Sequence, residues 1–225
     1  MKKLILFTFL LVAAFTSLNA QTMFTSYSFD VEPKDQQTVL QLYKNYFSKH
    51  QVKGISVSLY ENHFKGANVA SHEVIFAGSP ALMGAGYDSK SADDWSLFQS
   101  ELSKYCKGVS AAEGTRLSSF GDTTSTPFLV NDVLFAIVKD EEQYKAKFDA
   151  FWSKNTPANT RISFGTVGTR GPDGTTHFIS RSYKDFTTKF TSDMRNVKGY
   201  AELINSLKEL RTFTTSKTRI LLGRW

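Results

Sequence analysis

The sequence predicts an α+β protein built from two consecutive βαββαβ units. Three observations carry this. His72 and His177 stand 105 residues apart, each behind a hydroxyl residue (Ser71, Thr176) and six places after a glycine (Gly66, Gly171). At the same offset YKNYFSKH (43–50) falls on FDAFWSKN (148–155), aromatic on aromatic, with Val57 on Ile162, Leu59 on Phe164, Trp95 on Tyr200 and Leu102 on Leu207. Each half also shows period-2 and period-3.6 hydrophobic stretches in the same order, which is how a duplicated unit shows itself in one sequence.

The elements follow in turn. FTSYSFDV (24–31) has strand composition. From about Pro33 to His50, Val39, Leu42, Tyr43, Tyr46 and Phe47 recur on one helical face. Pro33 suits a first helical turn and Asp35 complements the helix dipole there. GISVSLYEN alternates apolar and polar residues as a half-buried strand does, and SHEVIFAG supplies a third strand. GAG (84–86) lacks the pattern of a phosphate loop and reads as a tight connection. Ser91 opens a second helix, with Asp93 and Asp94 in its first turn and Trp95, Phe98, Leu102 and Tyr105 on its inner face; GTRLSSFG closes the unit. The second half repeats the order with VLFAIVK, EEQYKAKFDAFWSKN, TRISFGTV, THFISRSY, a helical region ending in GYAELINSLKEL, and KTRILLGRW. Thr115-Arg116-Leu117 matches Thr218-Arg219-Ile220 only at an offset of 103, so a two-residue deletion is expected in a loop, with Arg116 and Arg219 as equivalents.

Ahead of the first strand, MKKLILFTFLLVAAFTSLNAQT places two lysines, an apolar run and a small residue at Ala20 in the order of a secretory signal peptide. The expected division is a signal peptide at 1–20, a first unit at 21–122, a linker at 123–131 rich in turn formers, and a second unit at 132–225. An exported chain, periplasmic or extracellular, is expected, and the mature part has no apolar run of the roughly 20 residues that span a bilayer. The formal charge is +6 with Lys2 and Lys3 included, and the basic residues are scattered among acidic ones; no nucleic-acid footprint results. Cys106 is a single cysteine without a disulfide partner and reads as structural.

The element order and the repeat register resemble the dimeric α/β-barrel superfamily, in which two ferredoxin-like units pack sheet to sheet; here the two units are fused in tandem across essentially the whole mature chain. The resemblance implies a pseudo-dimeric barrel. The superfamily holds cofactor-independent monooxygenases, isomerase-like and decyclising enzymes, haem-binding chlorite dismutases and proteins without an assigned reaction, so it narrows function little. No segment here matches a haem-ligand histidine motif, and no cofactor is implied.

Candidate site residues are those expected between the sheets. If Val57, Leu59, Ile162 and Phe164 lie under helices, then Ser58, Tyr60, Ser163 and Arg161 face the other way. His72 with Val74 and Phe76, and His177 with Ile179 and Arg181, share faces of the third strands, and Arg116 and Arg219 stand on the last strands. The expectation is a pocket between the sheets, His72 and His177 inside it and Glu73 and Phe178 turned away. Such a pocket would bind a small amphipathic or anionic molecule, with arginine as carboxylate fork and histidine as proton shuttle. The alternatives are a cofactor-independent monooxygenase or isomerase-like enzyme using histidine acid/base chemistry, and a protein-interaction scaffold. The histidine pair can also be inherited strand-start structure. It lacks the further ligands a metal site needs.

Overall fold

A computed structural model of the chain describes residues 22–88, 92–121, 128–168 and 174–225. The signal-peptide segment, the Ser91 helix start and most of the expected linker lie outside these residues. The first unit comprises β1 (Thr22–Val31), a 3-10 turn (Pro33–Asp35), α1 (Gln36–Phe47), β2 (Ser56–Lys65), β3 (His72–Gly78), α2 (Pro80–Asp88), α3 (Ala92–Leu102) and β4 (Cys106–Gly121). The second comprises β5 (Val130–Val138), α4 (Glu141–Asn155), β6 (Thr160–Val167), β7 (His177–Tyr183), α5 (Phe186–Thr191), α6 (Tyr200–Leu207) and β8 (Arg211–Arg224).

The helices form where periodicity demands. Val39, Tyr43 and Phe47 of α1 are buried at i, i+4 and i+8, as are Tyr144, Phe148 and Trp152 of α4. Asp140 caps α4 by accepting the Gln143 N–H at 2.9 Å. GAG (84–86) lies inside α2 and is no connection: Met83 anchors that helix, and both glycines are spaced as helix residues. The last strands reach further back than their apolar cores, because β1 and β5 offer hydrogen-bonding partners along Cys106–Arg116 and Arg211–Ile220.

All eight strands close into one antiparallel barrel in the order β1-β3-β2-β8-β5-β7-β6-β4. Each unit contributes a four-stranded ferredoxin-like sheet, and the seams are β2 with β8 and β6 with β4. Closure leaves no free sheet edge. The fold is therefore the tandem pseudo-dimeric α/β barrel. Helices cover the outside, with one apolar core per unit: Phe29, Val39, Tyr43, Phe47, Val57, Leu59 and Val74 in the first, and Tyr144, Phe148, Trp152, Ile162, Phe164 and Ile179 in the second.

The seams correct the repeat register. Asn62↔Arg219, Tyr60↔Leu221, Leu59↔Gly223 and Ser58↔Arg224 on one seam correspond to Val167↔Gly114, Gly165↔Arg116, Phe164↔Ser118 and Ser163↔Ser119 on the other, every equivalence at an offset of 105. Arg116 is thus the mate of Leu221, and Arg219 the mate of Gly114. The two-residue difference sits earlier: His72 pairs with Phe29 and His177 with Ala136, so β1 and β5 are offset by 107 and the first unit spends two more residues between its first strand and first helix. The Thr-Arg-apolar match at 103 reflected strand composition, which recurs by chance in short stretches.

Candidate functional site

The duplicated histidines stand outside the barrel. Ser71 Oγ accepts the Val31 N–H (2.9 Å) and lies 2.9 Å from His72 Nδ1; Thr176 Oγ1 accepts the Val138 N–H (3.0 Å) and lies 2.8 Å from His177 Nδ1. The hydroxyl's own hydrogen has the imidazole Nδ1 as its nearest acceptor, with the Phe29 and Ala136 carbonyls farther off at 3.5 and 3.4 Å, an arrangement that sets the Nε2–H tautomer by this network. His177 Nε2 then donates to Glu141 Oε2 at 3.0 Å. His72 is 1% exposed and stacks on Phe29; His177 stacks on Phe164 at 5.1 Å. Burial lowers the His72 pKa, against the pull of Glu61 and Asp30.

The expected facing of the third strands is reversed: Glu73 and Phe178 point into the barrel, and His72, Val74, Phe76, His177, Ile179 and Arg181 lie under the helices. Arg181 donates to the Tyr200 hydroxyl at 2.6 Å on that outer side. The reason is that a closed barrel buries both faces of its strands, so alternation alone does not say which set is inside. Val74 belongs to the helix-covered core and carries His72 to the same side. Ser58, Tyr60, Ser163, Arg116 and Arg219 do face inward, with Arg161 at the rim 4.8 Å from the Phe128 ring.

Inside, the two seams have diverged. Along β4–β6, Phe24 and Phe178 meet edge to face at 5.3 Å, each over a glycine: a Cβ on Gly114 would stand 2.6 Å from the Phe24 ring, and one on Gly165 2.5 Å from the Phe178 ring. Along β2–β8 lies a buried charge cluster. Glu73 Oε2 accepts from Lys217 Nζ (2.9 Å) and Arg219 (2.7 Å), and Oε1 accepts from Ser26 (2.5 Å). Burial alone would raise the Glu73 pKa; the two cations and the Ser26 bond outweigh it and hold the carboxyl far below its ordinary value. Burial lowers the Lys217 pKa, only partly offset by Glu73. Arg219 also lies 4.2 Å over the Tyr60 ring. The mates of Glu73, Lys217 and Arg219 are Phe178, Ala112 and Gly114.

A second feature lies on the outer face of the first unit. Between its sheet and helices runs an open groove of about 1210 Å³ whose walls include Tyr43, Phe47, Val57, Val74, Trp95 and Trp225. Trp225, the last residue of the chain, stacks on Tyr43 (6.3 Å) and Phe47 (6.0 Å), brought there by paired backbone bonds to Val57. His50 stands in the groove, stacked on Tyr46 at 4.4 Å with its Nε2 3.9 Å from Asp94. Tyr27 and Tyr87 join hydroxyls at 2.7 Å, and Tyr87 passes the bond on to Thr25; burial, then Tyr87, pushes the Tyr27 phenol pKa upward. Cys106 also borders the groove, and burial pushes its thiol up to about 12, which keeps it a poor nucleophile. Sequence reasoning missed His50, Trp225 and the Glu73–Lys217 pair. The groove had one readable signal: at matched positions the first unit carries the smaller residue, Phe47 for Trp152, Val57 for Ile162 and Val74 for Ile179.

Among the described residues no three His, Cys, Asp or Glu side chains gather as a metal site would require, and no helix is long and apolar enough to cross a membrane. No protein-family model matches the chain, and no curated protein matches it in sequence. Solved structures do match in fold. A protein of Fusobacterium nucleatum subsp. nucleatum ATCC 25586, provisionally named a monooxygenase, superposes with a TM-score of 0.66 at 13% identity, over 92% of this chain and 95% of that one. A second provisionally named monooxygenase, from Lactobacillus acidophilus NCFM, gives 0.62 at 9% identity over 91% and 95%. An anthrone oxidase-like protein gives 0.58 at 7% identity over 92% and 94%. At these identities the likeness is one of fold alone: a fused ferredoxin-like barrel.

Proposed function

We propose that the protein is an enzyme of the cofactor-independent oxygenase or isomerase type, acting on a flat, largely apolar molecule held in the first unit's groove. The observation that carries this is the groove itself: an aromatic-walled space with one solvent-reachable imidazole, present in one unit and filled in the other. Parallel ring faces at Tyr43, Phe47 and Trp225 suit a planar substrate. His50 is the histidine placed to take a proton from an activated C–H or O–H, with an Asp94 carboxylate oxygen 3.9 Å from its Nε2. The acid/base role first expected of His72 and His177 thus moves to His50. With dioxygen as oxidant, the resulting carbanion of a substrate such as anthrone would give the quinone and water, one O2 consumed per molecule. Without oxidation, the same proton transfer supports isomerisation. Export by the N-terminal segment is part of the proposal, since two lysines, an apolar run and Ala20 support it.

Anthrone is the probe. Its titration should quench tryptophan emission in the wild-type protein and much less in Trp225→Phe, and an oxygen electrode should record uptake that His50→Gln abolishes while binding persists. Absence of both quenching and uptake with anthrone and related polycyclic phenols would reject the reading.

A further inference from the structure

The groove leaves the barrel's own mouth unused, and its chemistry is different. At the end where β2 and β6 begin and β4 and β8 finish, the inward residues are Ser58 with Arg224 on one seam and Ser163 with Ser119 on the other. Arg224 Nε donates to Ser58 Oγ at 3.1 Å, and Ser119 and Ser163 share a bond of 3.0 Å. One step deeper are Tyr60 and Arg116, which the seam registers set on opposite sides of the pseudo-twofold axis, Tyr60 beside Leu221 and Arg116 beside Gly165.

The charges here do not balance. Glu73 is the only buried carboxylate among the described residues, and Lys217, Arg219 and Ser26 already occupy it. No hydrogen bond or ion pair holds the Arg116 guanidinium among the described residues; the titratable groups that act on it are the Tyr60 phenol and the like-charged Arg224. Burial, reinforced by Arg224, lowers the Arg116 pKa. Arg116 is partly buried and Arg224 exposed at the mouth, and a partly desolvated guanidinium beside another cation is stabilised when an anion joins it.

We propose that this mouth is an oxyanion site, in which Arg116 and Arg224 fork the carboxylate or phosphate group of a small molecule and the hydroxyls of Ser58 and Tyr60 complete its shell. Planar guanidinium pairs suit such groups, and a site of two seams explains why the duplicated positions carry different residues, since one anion on a twofold axis needs only one deep arginine. The site is separate from the groove: Arg224 turns inward while Trp225, the next residue, turns outward.

The test uses the full mature chain at constant ionic strength with inorganic phosphate and with benzoate. Either should raise the melting temperature by about 3–5 °C at saturating concentration, as ligand binding to the folded state requires. Arg116→Gln and Arg224→Gln should each weaken the response at least about tenfold in concentration, while Lys53→Gln, an exposed lysine, leaves it unchanged. Response to phosphate alone names a phosphate ligand, and response to benzoate alone a carboxylate. An equal rise with sodium chloride, an equal response in the arginine variants, or no response to either probe overturns the proposal. Arg116→Lys, which keeps the charge and loses the fork, guards against a misfolded variant: it should melt as the wild type does without ligand and still bind more weakly. The groove reading stands or falls separately, on anthrone and His50.

Discussion

In the second unit Trp152, Ile162, Phe164 and Ile179, joined by Met194, fill the space between helices and sheet. In the first, the equivalent positions hold Phe47, Val57, Leu59 and Val74, each smaller, and a groove remains between the same two layers. The barrel interior diverges in the opposite sense: the β2–β8 seam is loaded with charge while the β4–β6 seam is closed by two phenylalanines over two glycines. One backbone plan thus carries a packed structural half and an open half, and the difference is made by side-chain volume, since protein interiors tolerate few voids. Duplication supplies a scaffold whose second copy can take over stability. The first copy is then free to keep space.

The largest effects should fall on the charged seam. Glu73→Gln leaves Lys217 and Arg219 buried with half a partner and should cost about 3–5 kcal/mol in urea unfolding, as breaking a buried ion pair does. The pH dependence has a definite sign. Because the folded carboxyl titrates well below its ordinary value near 4.5, its contribution is full at neutral pH and is lost as pH falls through the depressed folded value. Glu73→Gln should lack that acid-side component; a variant as acid-sensitive as the wild type would show that Glu73 is not the group responsible.

Next come the helix tryptophans, which compare the two units directly. Trp152 is 3% exposed, so Trp152→Ala should cost about 3–5 kcal/mol. Trp95 is only half-buried along the groove wall, so its truncation should cost well under that. Equal losses would mean that the first unit is as tightly packed as the second. Importing the second unit's residues is the sharper change: Phe47→Trp with Val74→Ile should fill the groove, move stability by less than about 1.5 kcal/mol because the volume is available, and abolish anthrone quenching.

The fold was legible because duplication writes the same signal twice: aromatic on aromatic at Tyr43/Phe148 and Phe47/Trp152, apolar on apolar at Val57/Ile162. What was not legible is which face of β3 and β7 looks inward. Glu73 reads as a solvent-facing residue beside a histidine that reads as functional. Its counter-ions Lys217 and Arg219 lie 144 and 146 residues away, and only barrel closure brings them together. The early halves of β4 and β8, CKGVSAAE and RTFTTS, look like loops because a strand that earns its place by hydrogen bonds to neighbours needs no apolar alternation. For the inward serines and Tyr60 the alternation on β2 and β6 was enough, whereas Arg116 and Arg219, on β4 and β8, were singled out by an equivalence that the seam registers replace. For Arg181 the same reasoning failed, since its strand was assigned the wrong face.

The smallest effect concerns the histidines that first marked the duplication. Their hydroxyl partners tie β1 to β3 and β5 to β7, so each pair acts as a strand-start clasp, but only His177 has a second partner, the half-exposed Glu141. His177→Gln should therefore cost about 0.5–1.5 kcal/mol, the worth of a single hydrogen bond. His72 differs in being held neutral by burial. Its folded pKa lies below the ordinary value of 6.5, so on acidification the unfolded chain takes up the proton first, and stability declines as pH falls from about 6.5 toward the folded value. One proton limits that slope to about 1.4 kcal/mol per pH unit. Melting temperatures between pH 7.5 and 5 should show the slope in the wild type and a flatter profile in His72→Gln, while anthrone quenching stays the same in both. A change in quenching would instead join His72 to the groove through Phe29, the ring it stacks on, and give the duplicated histidine a share in the site after all.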